Sequence, residues 1–407
     1  MATPADQPTA APLDDVVARQ YQRYRYPEPI RDLDAWSRDN WQWFDPRHAA
    51  RMLWPDHAAK TDLDILIAGC GTNQAAVFAY TNPQARVLAV DVSEPSLVHE
   101  RWLKAKYSLD NLELLQRPIE DLPRLGRQFD LIVSTGVLHH LASPATGLRA
   151  LAQCLRPDGV MGLMLYAKYG RVGVEWLQSV CRELGLGRND ASVAAVRAIL
   201  AALPAGHPVR SYLQLENNLA ADAVLVDTFL HGRERSYSVD DCLAFVASAG
   251  LVFQGWFFNA PYHPHGELEA VLRARGPLTG RRVWSLMERL YSTNACHFFM
   301  ARRNECPSAA YAIDFEAPAC FDYIPEFRMR CGLAGDILHR PDWHMTVTSE
   351  QLPYAQRIDG RASIRAIAGA VAAETGTAPA ACRATARDVL RAFWQLDFIA
   401  MAINTAG

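Results

Sequence analysis

Polar and apolar positions alternate in two rhythms from residue 63 onward. Short apolar runs predict strands at residues 63–68, 86–90, 112–115, 129–134 and 159–167. The stretches between them have the spacing of amphipathic helices, and one of these begins at Ser143-Pro144 with Leu148, Leu151 and Leu155 on one face. Strands separated by helices of this size indicate parallel βαβ units. We therefore expect an α/β fold built on a doubly wound, mostly parallel sheet.

This rhythm breaks after residue 167. Residues 169–236 predict helices at 174–184 and 191–203 joined by loops, which is an insertion long enough to form a helical lid. A helix at 239–249 and strands at 251–258 and 297–302 then complete a seven-stranded sheet.

Residues beyond 304 predict a separate small α+β module. It has a strand at 344–348 and two Ala-rich helices at 363–374 and 385–396. We therefore divide the chain into four segments: a disordered lead-in at 1–20, an N-terminal helical cap at 21–60, the main domain at 61–304 with its lid at about 169–236, and a C-terminal accessory domain at 305–407.

The charge balance and the cysteines narrow the class of protein. The 407 residues include 41 Lys and Arg against 44 Asp and Glu, a net charge of −3 that disfavours nucleic acid as a partner. The nine cysteines are scattered without C-x-x-C spacing, which fits a reducing cytoplasm better than a disulfide framework or a zinc site. The uncharged stretch 242–262 contains Gly250 and Pro261, so we expect no membrane segment.

Candidate chemistry starts at the end of the first predicted strand. Gly69-Cys70-Gly71 precedes a helix there, which lets the backbone approach a ligand closely. Asp91 ends the second strand, where a carboxylate can accept both hydroxyls of a ribose. The chain lacks the G-x-G-x-x-G spacing of a dinucleotide site and the phosphate loop of nucleoside triphosphatases.

Four motifs together resemble class I, Rossmann-like methyltransferases that use S-adenosylmethionine. They are the glycine loop at 65–72, the acidic strand end at 90–93, the fourth strand and its turn at 129–141, and the turn at 155–160. The element Tyr24-Arg25-Tyr26-Pro27 is similar to the Tyr-Pro segments that some of these enzymes fold over the cofactor. The resemblance covers about residues 21–303.

The resemblance implies S-adenosylmethionine as cofactor and S-adenosylhomocysteine as product. It assigns the amino-acid end of the cofactor to the glycine loop, the ribose to Asp91, the adenine to Ile119 and Glu120, and the methyl-bearing side to residues 134–137. The implied cofactor-binding residues are Tyr24, Tyr26, Gly69, Cys70, Gly71, Thr72, Asn73, Asp91, Val92, Ile119, Glu120, Ser134, Thr135 and Gly136. Three positions depart from the family pattern: Ile67 replaces an acid, Asn73 replaces a third glycine, and Pro118 replaces an acid.

Two sets of polar residues are candidates for the acceptor side. His139 and His140 follow the fourth strand and are candidate general bases; alternatively one caps the turn and the other packs. The candidate substrate-binding residues are His140, Tyr166, Asp227, His231, Arg235 and Tyr237, and a solvated loop with local ion pairs is the alternative.

Other patterns have simpler explanations. His263 and His265 lack a third ligand nearby in sequence, so loop histidines are preferred to a metal site and we expect no metal. The segment 259–262 is similar to the catalytic loop of amide and adenine methyltransferases but follows the wrong strand. The aromatic cluster of Trp36, Trp41, Trp43, Phe44 and Trp54 predicts packing of the cap over the sheet rather than substrate stacking.

Three functions remain open at this point. The leading hypothesis is methyl transfer to an oxygen or nitrogen of a small molecule, because a lid would enclose the acceptor. The second is methylation of a protein or peptide side chain, guided by the C-terminal module, which resembles winged-helix-like modules that bind peptides or mediate dimers. The third is a cofactor-binding scaffold without catalysis. The sequence leaves the oligomeric state open.

Overall fold

The computed structural model describes residues 16–57, 60–215, 219–276 and 280–403. Most of the predicted lead-in, residues 1–15, lies outside these ranges. Residues 16–20 instead begin the first helix, in which Ala18 and Gln20 are buried. Among the described residues, no helix combines the length and the apolar character that crossing a membrane requires.

A seven-stranded sheet forms the centre of the fold and confirms the predicted α/β class. Its strands are β1 (Asp64–Ala68), β2 (Arg86–Asp91), β3 (Leu112–Gln116), β4 (Phe129–Thr135), β5 (Leu155–Tyr166), β6 (Leu251–Trp256) and β7 (Cys296–Arg303). The order across the sheet is β3-β2-β1-β4-β5-β7-β6, and β1 to β5 pair in parallel. The order reverses at β1, and the carboxyl end of a strand at such a switch point is where α/β proteins bind ligands.

Two helices between β6 and β7 were not predicted, whereas those at residues 144–153 and 239–247 agree with the sequence prediction. Helices lie before the sheet and between most of its strands. They are α1 (Val16–Arg23), α2 (Leu33–Asp39), α3 (Pro46–Leu53), α4 (Gln74–Thr81), α5 (Glu94–Tyr107), α6 (Pro144–Gln153), α7 (Val172–Glu183), α8 (Asp190–Ala202), α9 (Val209–Leu213), α10 (Asp222–Phe229), α11 (Val239–Ala247), α12 (Gly266–Arg273) and α13 (Arg281–Leu290). Ser143 precedes α6 and Pro144 is its first residue.

The fifth strand begins earlier than its sequence predicts. Leu155 pairs with Phe129, and the register then shifts before Val160 pairs with Leu131. The predicted turn at 156–159 is therefore an irregularity within the strand. Its Arg156 bonds the carboxylates of Asp64 and Asp130, which fixes the amino end of the sheet.

The chain divides into two compact units. The first comprises Met1–Gln42, Asp62–Leu251 and Ser292–His297, and the second comprises Trp43–Thr61, Val252–Tyr291 and Phe298–Gly407. The predicted boundaries at residues 20, 60 and 304 stay predictions. All the described residues of the candidate site discussed below belong to the first unit.

The insertion predicted as a lid is helical throughout much of its length. Helices α7 and α8 match the predicted pair, whereas α9 and α10 stand where loops were expected. The four helices share an apolar core whose members include Val174, Val209 and Phe229. Because α9 and α10 bury apolar residues against α7 and α8, tertiary packing stabilises helices too short to form alone.

The C-terminal part of the second unit contains more strands than predicted. The elements are β8 (Ile324–Phe327), β9 (Gly332–Ala334), β10 (Ile337–Arg340), β11 (Trp343–Thr346), α14 (Leu352–Ala355), α15 (Ile364–Thr375), α16 (Pro379–Gln395) and β12 (Ile399–Ala402). Strands β9, β10 and β11 form one antiparallel sheet, and β8 pairs with β12. Helix α16 starts six residues before the predicted 385, with Pro379 at its first turn. The winged-helix-like character stays a prediction.

Candidate active site

The glycine loop after β1 is a tight turn that requires glycine. Gly69 and Gly71 both have positive φ, +83° and +57°. A Cβ atom on Gly69 would lie 2.3 Å from Cγ2 of Val137. The backbone N–H groups of Gly69 and Cys70 both donate to the carbonyl of Val90, at 2.8 and 3.1 Å. The loop is thereby held against the carboxyl end of β2, as a nucleoside site requires.

Asp91 lies beside this loop at the end of β2. One carboxylate oxygen accepts the N–H of Gly71 and the other accepts the N–H of Ser93, each at 2.8 Å. Burial raises the pKa of this carboxyl, and hydrogen bonds from the backbone N–H groups of Ser93, Gly71 and Val92 oppose that rise. Each oxygen keeps a second lone pair, so the residue still has the capacity to accept ribose hydroxyls. The residues present therefore fit a ribose-bearing cofactor.

The N-terminal segment 26–30 is tied onto the helix that follows the loop. Thr72 Oγ1 donates to the carbonyl of Pro27 at 2.7 Å. Asn73 donates through Nδ2 to the carbonyl of Glu28 at 2.7 Å and accepts the N–H of Ile30 at 2.8 Å. This explains one departure from the family pattern, because Asn73 anchors the segment where a third glycine could make no such bonds.

The two predicted tyrosines of this segment have different surroundings. Tyr24 is buried with the apolar core of the lid, and its hydroxyl donates to Asp190 at 3.2 Å. Tyr26 is half-buried, and its carbonyl oxygen would lie 3.1 Å from a Cβ on Gly71. The backbone of Tyr26 therefore lies against the glycine loop, whereas Tyr24 packs with the helices of the lid.

Most of the remaining predicted cofactor residues lie at the carboxyl ends of β2 and β4. Ser134 Oγ donates to the carbonyl of Ala68 at 3.0 Å, and Thr135 bonds to Gln74. Burial raises the pKa of the Cys70 thiol well above its usual value. Ile119 and Glu120 begin a 3-10 turn after β3. Direct contact with a cofactor stays a prediction for Val92, Ile119, Glu120, Ser134, Thr135 and Gly136.

The candidate acceptor residues come together around Asp227 on α10. The hydroxyl of Tyr21 donates to Oδ1 at 2.7 Å, and the hydroxyl of Tyr166 donates to Oδ2 at 3.4 Å. Nε2 of His231 lies 3.4 Å from the hydroxyl of Tyr21. Asp227 is only 4% exposed, and burial raises its pKa to about 6. A buried carboxylate, held by two phenols from α1 and β5, is the centre of this cluster.

Hydrogen bonds to the backbone of Arg233 fix the tautomers of His140 and His231. Nδ1 of His140 donates to the carbonyl of Arg233 at 2.9 Å, which leaves the lone pair on Nε2. Nδ1 of His231 accepts the N–H of Arg233 at 3.1 Å, so its Nε2 carries the proton. The rings stack with centroids 3.8 Å apart, and burial lowers the pKa of both, that of His140 to about 3.

Potential ligand atoms of His140, Asp227 and His231 all lie within 4.8 Å of one another. That spacing resembles a metal site. However, a histidine binds a metal only through an unprotonated nitrogen, and the unprotonated nitrogen of His231 is occupied by the N–H of Arg233. The donor set therefore fits hydrogen-bonding better than metal coordination.

His139 is fully buried and lacks hydrogen-bond partners among the described residues at both ring nitrogens. Its ring lies 4.0 Å from that of Tyr166 and 4.2 Å from that of His140, measured between centroids. Burial lowers its pKa well below the usual value. Because an unsatisfied buried polar group costs about 1–3 kcal/mol, this ring is a candidate for hydrogen-bonding a ligand.

A buried ion pair that the sequence analysis missed borders the cluster. Arg171 and Glu234 are 1% and 6% exposed and bond at 2.9 Å. The guanidinium of Arg171 also lies over the ring of Tyr166, 3.7 Å from its centroid, and donates to the hydroxyl of Tyr212 at 3.2 Å. The sequence did contain a signal for this pair: Arg171 follows shortly after the fifth strand, at the ligand-binding edge of a parallel sheet.

Two predicted acceptor residues do not join the cluster through their side chains. Arg235 is exposed. Tyr237 is buried, and its backbone bonds to Tyr166 and Lys168 at 2.8 Å as an added bridge beside β5. Burial raises the pKa of its phenol to about 12. The other candidates, Asn259, His263 and His265, belong to the second unit.

Comparisons with known proteins agree with this geometry. A family model described as a methyltransferase domain matches residues 66–161. These residues form a class I methyltransferase domain. They contain the glycine loop, Asp91 and both candidate histidines after β4, which confirms the family resemblance of the sequence motifs.

Relatives extend beyond the methyltransferase domain. An uncharacterized protein of Synechococcus sp. is 32% identical over 264 residues, which are 62% of this chain and 62% of that protein. A tRNA U34 carboxymethyltransferase of Saccharophagus degradans is 30% identical over 144 residues, which are 35% of this chain and 42% of that protein. The chain thus spans less than two thirds of either relative.

A solved structure shares the fold over most of the chain. PKMT2 from Rickettsia typhi, in complex with AdoHcy, superposes with a TM-score of 0.63 over 88% of this chain and 75% of that chain. The two sequences are 14% identical. The shared fold therefore includes more than the residues that the family model matches.

Proposed function

We propose that this protein is an S-adenosylmethionine-dependent methyltransferase that methylates an oxygen or nitrogen atom of a small molecule. The observation that carries the proposal is the position of Asp91, whose carboxylate accepts the N–H of Gly71 in the glycine loop. A buried polar cluster around Asp227 belongs to the same unit. One site fits the nucleoside of the cofactor, and the other offers polar groups to an acceptor.

Different residues of the methyltransferase domain would bind different parts of the cofactor. The glycine loop would contact the amino-acid end, and Asp91 would accept the ribose hydroxyls. When bound, the cofactor supplies an activated methyl group on a sulfonium. The AdoHcy bound to PKMT2, which has the same fold, supports this assignment.

The burial of the polar residues around Asp227 limits the size of the acceptor. Tyr166, His139, His140, Arg171 and Asp227 are all at most 9% exposed. An acceptor that reaches such a cluster must be small or enter by a narrow side chain, because a wide groove would leave these residues exposed. This fits a small polar molecule, and it admits a protein or peptide only through a single narrow side chain.

A tRNA acceptor is a separate outcome that the relatives bring into consideration. Several matched relatives are tRNA U34 carboxymethyltransferases. The net charge of −3 offers no overall attraction to a polyanion. We place the protein in the reducing cytoplasm, because none of the nine cysteines, all of which lie in the described residues, forms a disulfide and six of them are buried.

The cofactor is tested by isothermal titration with S-adenosylmethionine and S-adenosylhomocysteine. We expect micromolar binding of both ligands, and at least a tenfold loss for Asp91→Asn, because two backbone N–H groups and the ribose depend on its charge. Asp322→Asn, at an exposed carboxylate paired with Arg365 in the second unit, is the matched control. Absence of binding by the folded wild type would refute the proposal.

The acceptor is tested with methyl-labelled cofactor and three fractions of a cell extract: small metabolites, proteins and bulk tRNA. Label in the metabolite fraction supports the proposal. Label in protein supports the peptide alternative, and label in tRNA identifies a nucleic-acid acceptor. Cofactor binding without label in any fraction supports the scaffold.

A further inference from the structure

The acceptor cluster consists of Asp227 with Tyr21, Tyr166, His140 and His231 around it. Its carboxylate has the surroundings of a catalytic base. Asp227 is buried, and each of its carboxylate oxygens receives one phenol hydroxyl, from Tyr21 and from Tyr166. Each oxygen keeps a further lone pair. A ligand with a hydrogen-bond donor can therefore bind there without displacing either tyrosine.

From this geometry we infer that Asp227 is the catalytic base for the methyl acceptor and that Tyr21 is the residue that positions it. The inference rests on the proposed function. It implies that the nucleophilic atom of the acceptor bears a hydrogen, as in a hydroxyl or an amine. A carboxylate acceptor is disfavoured, because it would bring a second negative charge to a buried carboxylate.

Methyl transfer to the acceptor breaks two bonds and forms two. The acceptor atom uses its lone pair to form a bond to the methyl carbon, and the bond from sulfur to that carbon breaks with its electron pair remaining on sulfur. The proton of the acceptor moves to a carboxylate oxygen of Asp227, which later releases it to water. No oxidant, reductant or metal takes part.

The neighbouring histidines are less suited to hold this proton. His140 has its lone pair on Nε2, but burial lowers its pKa to about 3, so it would return the proton at once. His231 presents a protonated Nε2 to the cluster. Asp227 has a pKa of about 6, close to the pH at which an enzyme works, which is the condition for efficient base catalysis.

The charged and titratable neighbours of Asp227 act in opposite directions. Burial and the charge of Glu234 raise its pKa, whereas the hydrogen bonds from Tyr21 and Tyr166 and the charge of Arg171 lower it. The neutral rings of His140 and His231 each have a nitrogen within 4.8 Å of a carboxylate oxygen of Asp227. Because Tyr21 donates the shorter bond, its removal should destabilise the ionised carboxylate most.

Tyr21 also connects the base to the cofactor side of the site. Its carbonyl accepts the hydroxyl of Ser93 at 3.3 Å, and the N–H of Ser93 donates to Asp91. A single residue of α1 therefore contacts both the helix start beside the ribose carboxylate and the proposed base. This is the reason to assign it a positioning role instead of a packing role.

The test uses sinefungin, a cofactor analogue in which a carbon bearing an amine replaces the sulfonium and its methyl group. This ammonium takes the place of the methyl group in the analogue, so it would donate to Asp227 if Asp227 is the base. We expect Asp227→Asn to weaken sinefungin about 10- to 100-fold and to leave S-adenosylhomocysteine within about twofold. Asp222→Asn, on the same helix but in an exposed pair with Arg197, is the matched control.

The pH dependence provides a second readout. Wild-type affinity for sinefungin should rise as pH increases through about 6, where Asp227 ionises. Tyr21→Phe should move this rise to higher pH and restore full affinity above it, whereas Tyr107→Phe should not. Tyr107 is the control because its hydroxyl bonds elsewhere, to the N–H of Leu33.

The outcomes separate this inference from the proposed function. Equal loss of both ligands in Asp227→Asn, or unchanged sinefungin affinity, would overturn the base assignment. A loss in Tyr21→Phe that is the same at every pH would overturn the positioning role. Failure of the wild type to bind either ligand would overturn the proposed function itself. If Asp227→Asn does not fold, the shifted pH dependence of Tyr21→Phe decides.

Discussion

Glu100, in the middle of α5, accepts the backbone N–H of Ala76 at 2.9 Å. It also accepts the N–H of Ala75 at 3.0 Å, so a fully buried carboxyl caps the first turn of α4 from a neighbouring helix. This turn follows the glycine loop directly. The position of the loop therefore depends on a carboxyl group that water does not reach.

This contact predicts how stability depends on pH. Burial raises the pKa of Glu100 from 4.5 to about 8, so between these values the folded protein binds more protons than the unfolded chain. The free energy of unfolding should fall as pH rises through this window. Glu100→Gln should show a smaller fall when urea unfolding is compared at pH 5 and pH 9.

The control for this comparison is Glu94→Gln on the same helix, at an exposed pair with Arg101. It should keep the wild-type pH dependence. Parallel curves for the wild type and Glu100→Gln would show that this carboxyl has no raised pKa.

A second prediction separates backbone strain from steric exclusion in the glycine loop. Gly69 and Gly126 both have positive φ, but only Gly69 has a side chain in the space of a Cβ atom. Gly126→Ala should cost about 1 kcal/mol of unfolding free energy and keep cofactor affinity. Gly69→Ala should cost more and abolish binding. Thermal unfolding and titration calorimetry measure both effects, and equal losses would contradict the steric argument.

A third prediction concerns the segment that Asn73 holds. Asn73→Ala removes two hydrogen bonds to residues 28–30, so hydrogen exchange of that segment should accelerate and the cofactor should dissociate faster. Asn40→Ala, which removes an exposed bond to the carbonyl of Trp36, is the control. Unchanged exchange at residues 28–30 would mean that Asn73 does not anchor the segment.

A fourth prediction follows from the unsatisfied ring of His139. Replacing a buried polar group that has no partner by an apolar one of similar volume should be neutral or stabilising, by up to about 1–3 kcal/mol. His139→Leu should therefore unfold at the same or a higher denaturant concentration while methyl transfer falls. Marked destabilisation would show that the ring already has a partner in the folded protein.

Much of the fold could be predicted because its signals are local. Apolar runs, turn residues and helix caps placed β1 to β7 and the principal helices. The glycine loop and Asp91 could be paired because parallel strands end at one edge of a sheet. The short strands β9 and β10 were missed, since strands of three or four partly exposed residues carry little pattern.

The acceptor cluster was predicted in composition but not in arrangement. Asp227, His231, His140 and Tyr166 were candidates, yet Tyr21 lies 206 positions from Asp227 and no spacing rule joins them. Glu100 carried a readable signal, an acid between the buried Leu97 and Leu103 on one helix face. The tautomers depend on the backbone of Arg233, which the sequence does not position.

Tyr21 contacts Asp227 through its hydroxyl and Ser93 through its carbonyl, and this has a consequence for unproductive loss of the methyl group. If α1 moves away to admit or release the cofactor, the phenol leaves Asp227, the pKa of that carboxyl rises, and a smaller fraction of it is ionised at that moment. Water that enters the open site then meets no activated base beside the methyl donor. The arrangement would protect the methyl group from wasteful hydrolysis between turnovers, which a futile-cycle assay without acceptor can measure in Tyr21→Phe.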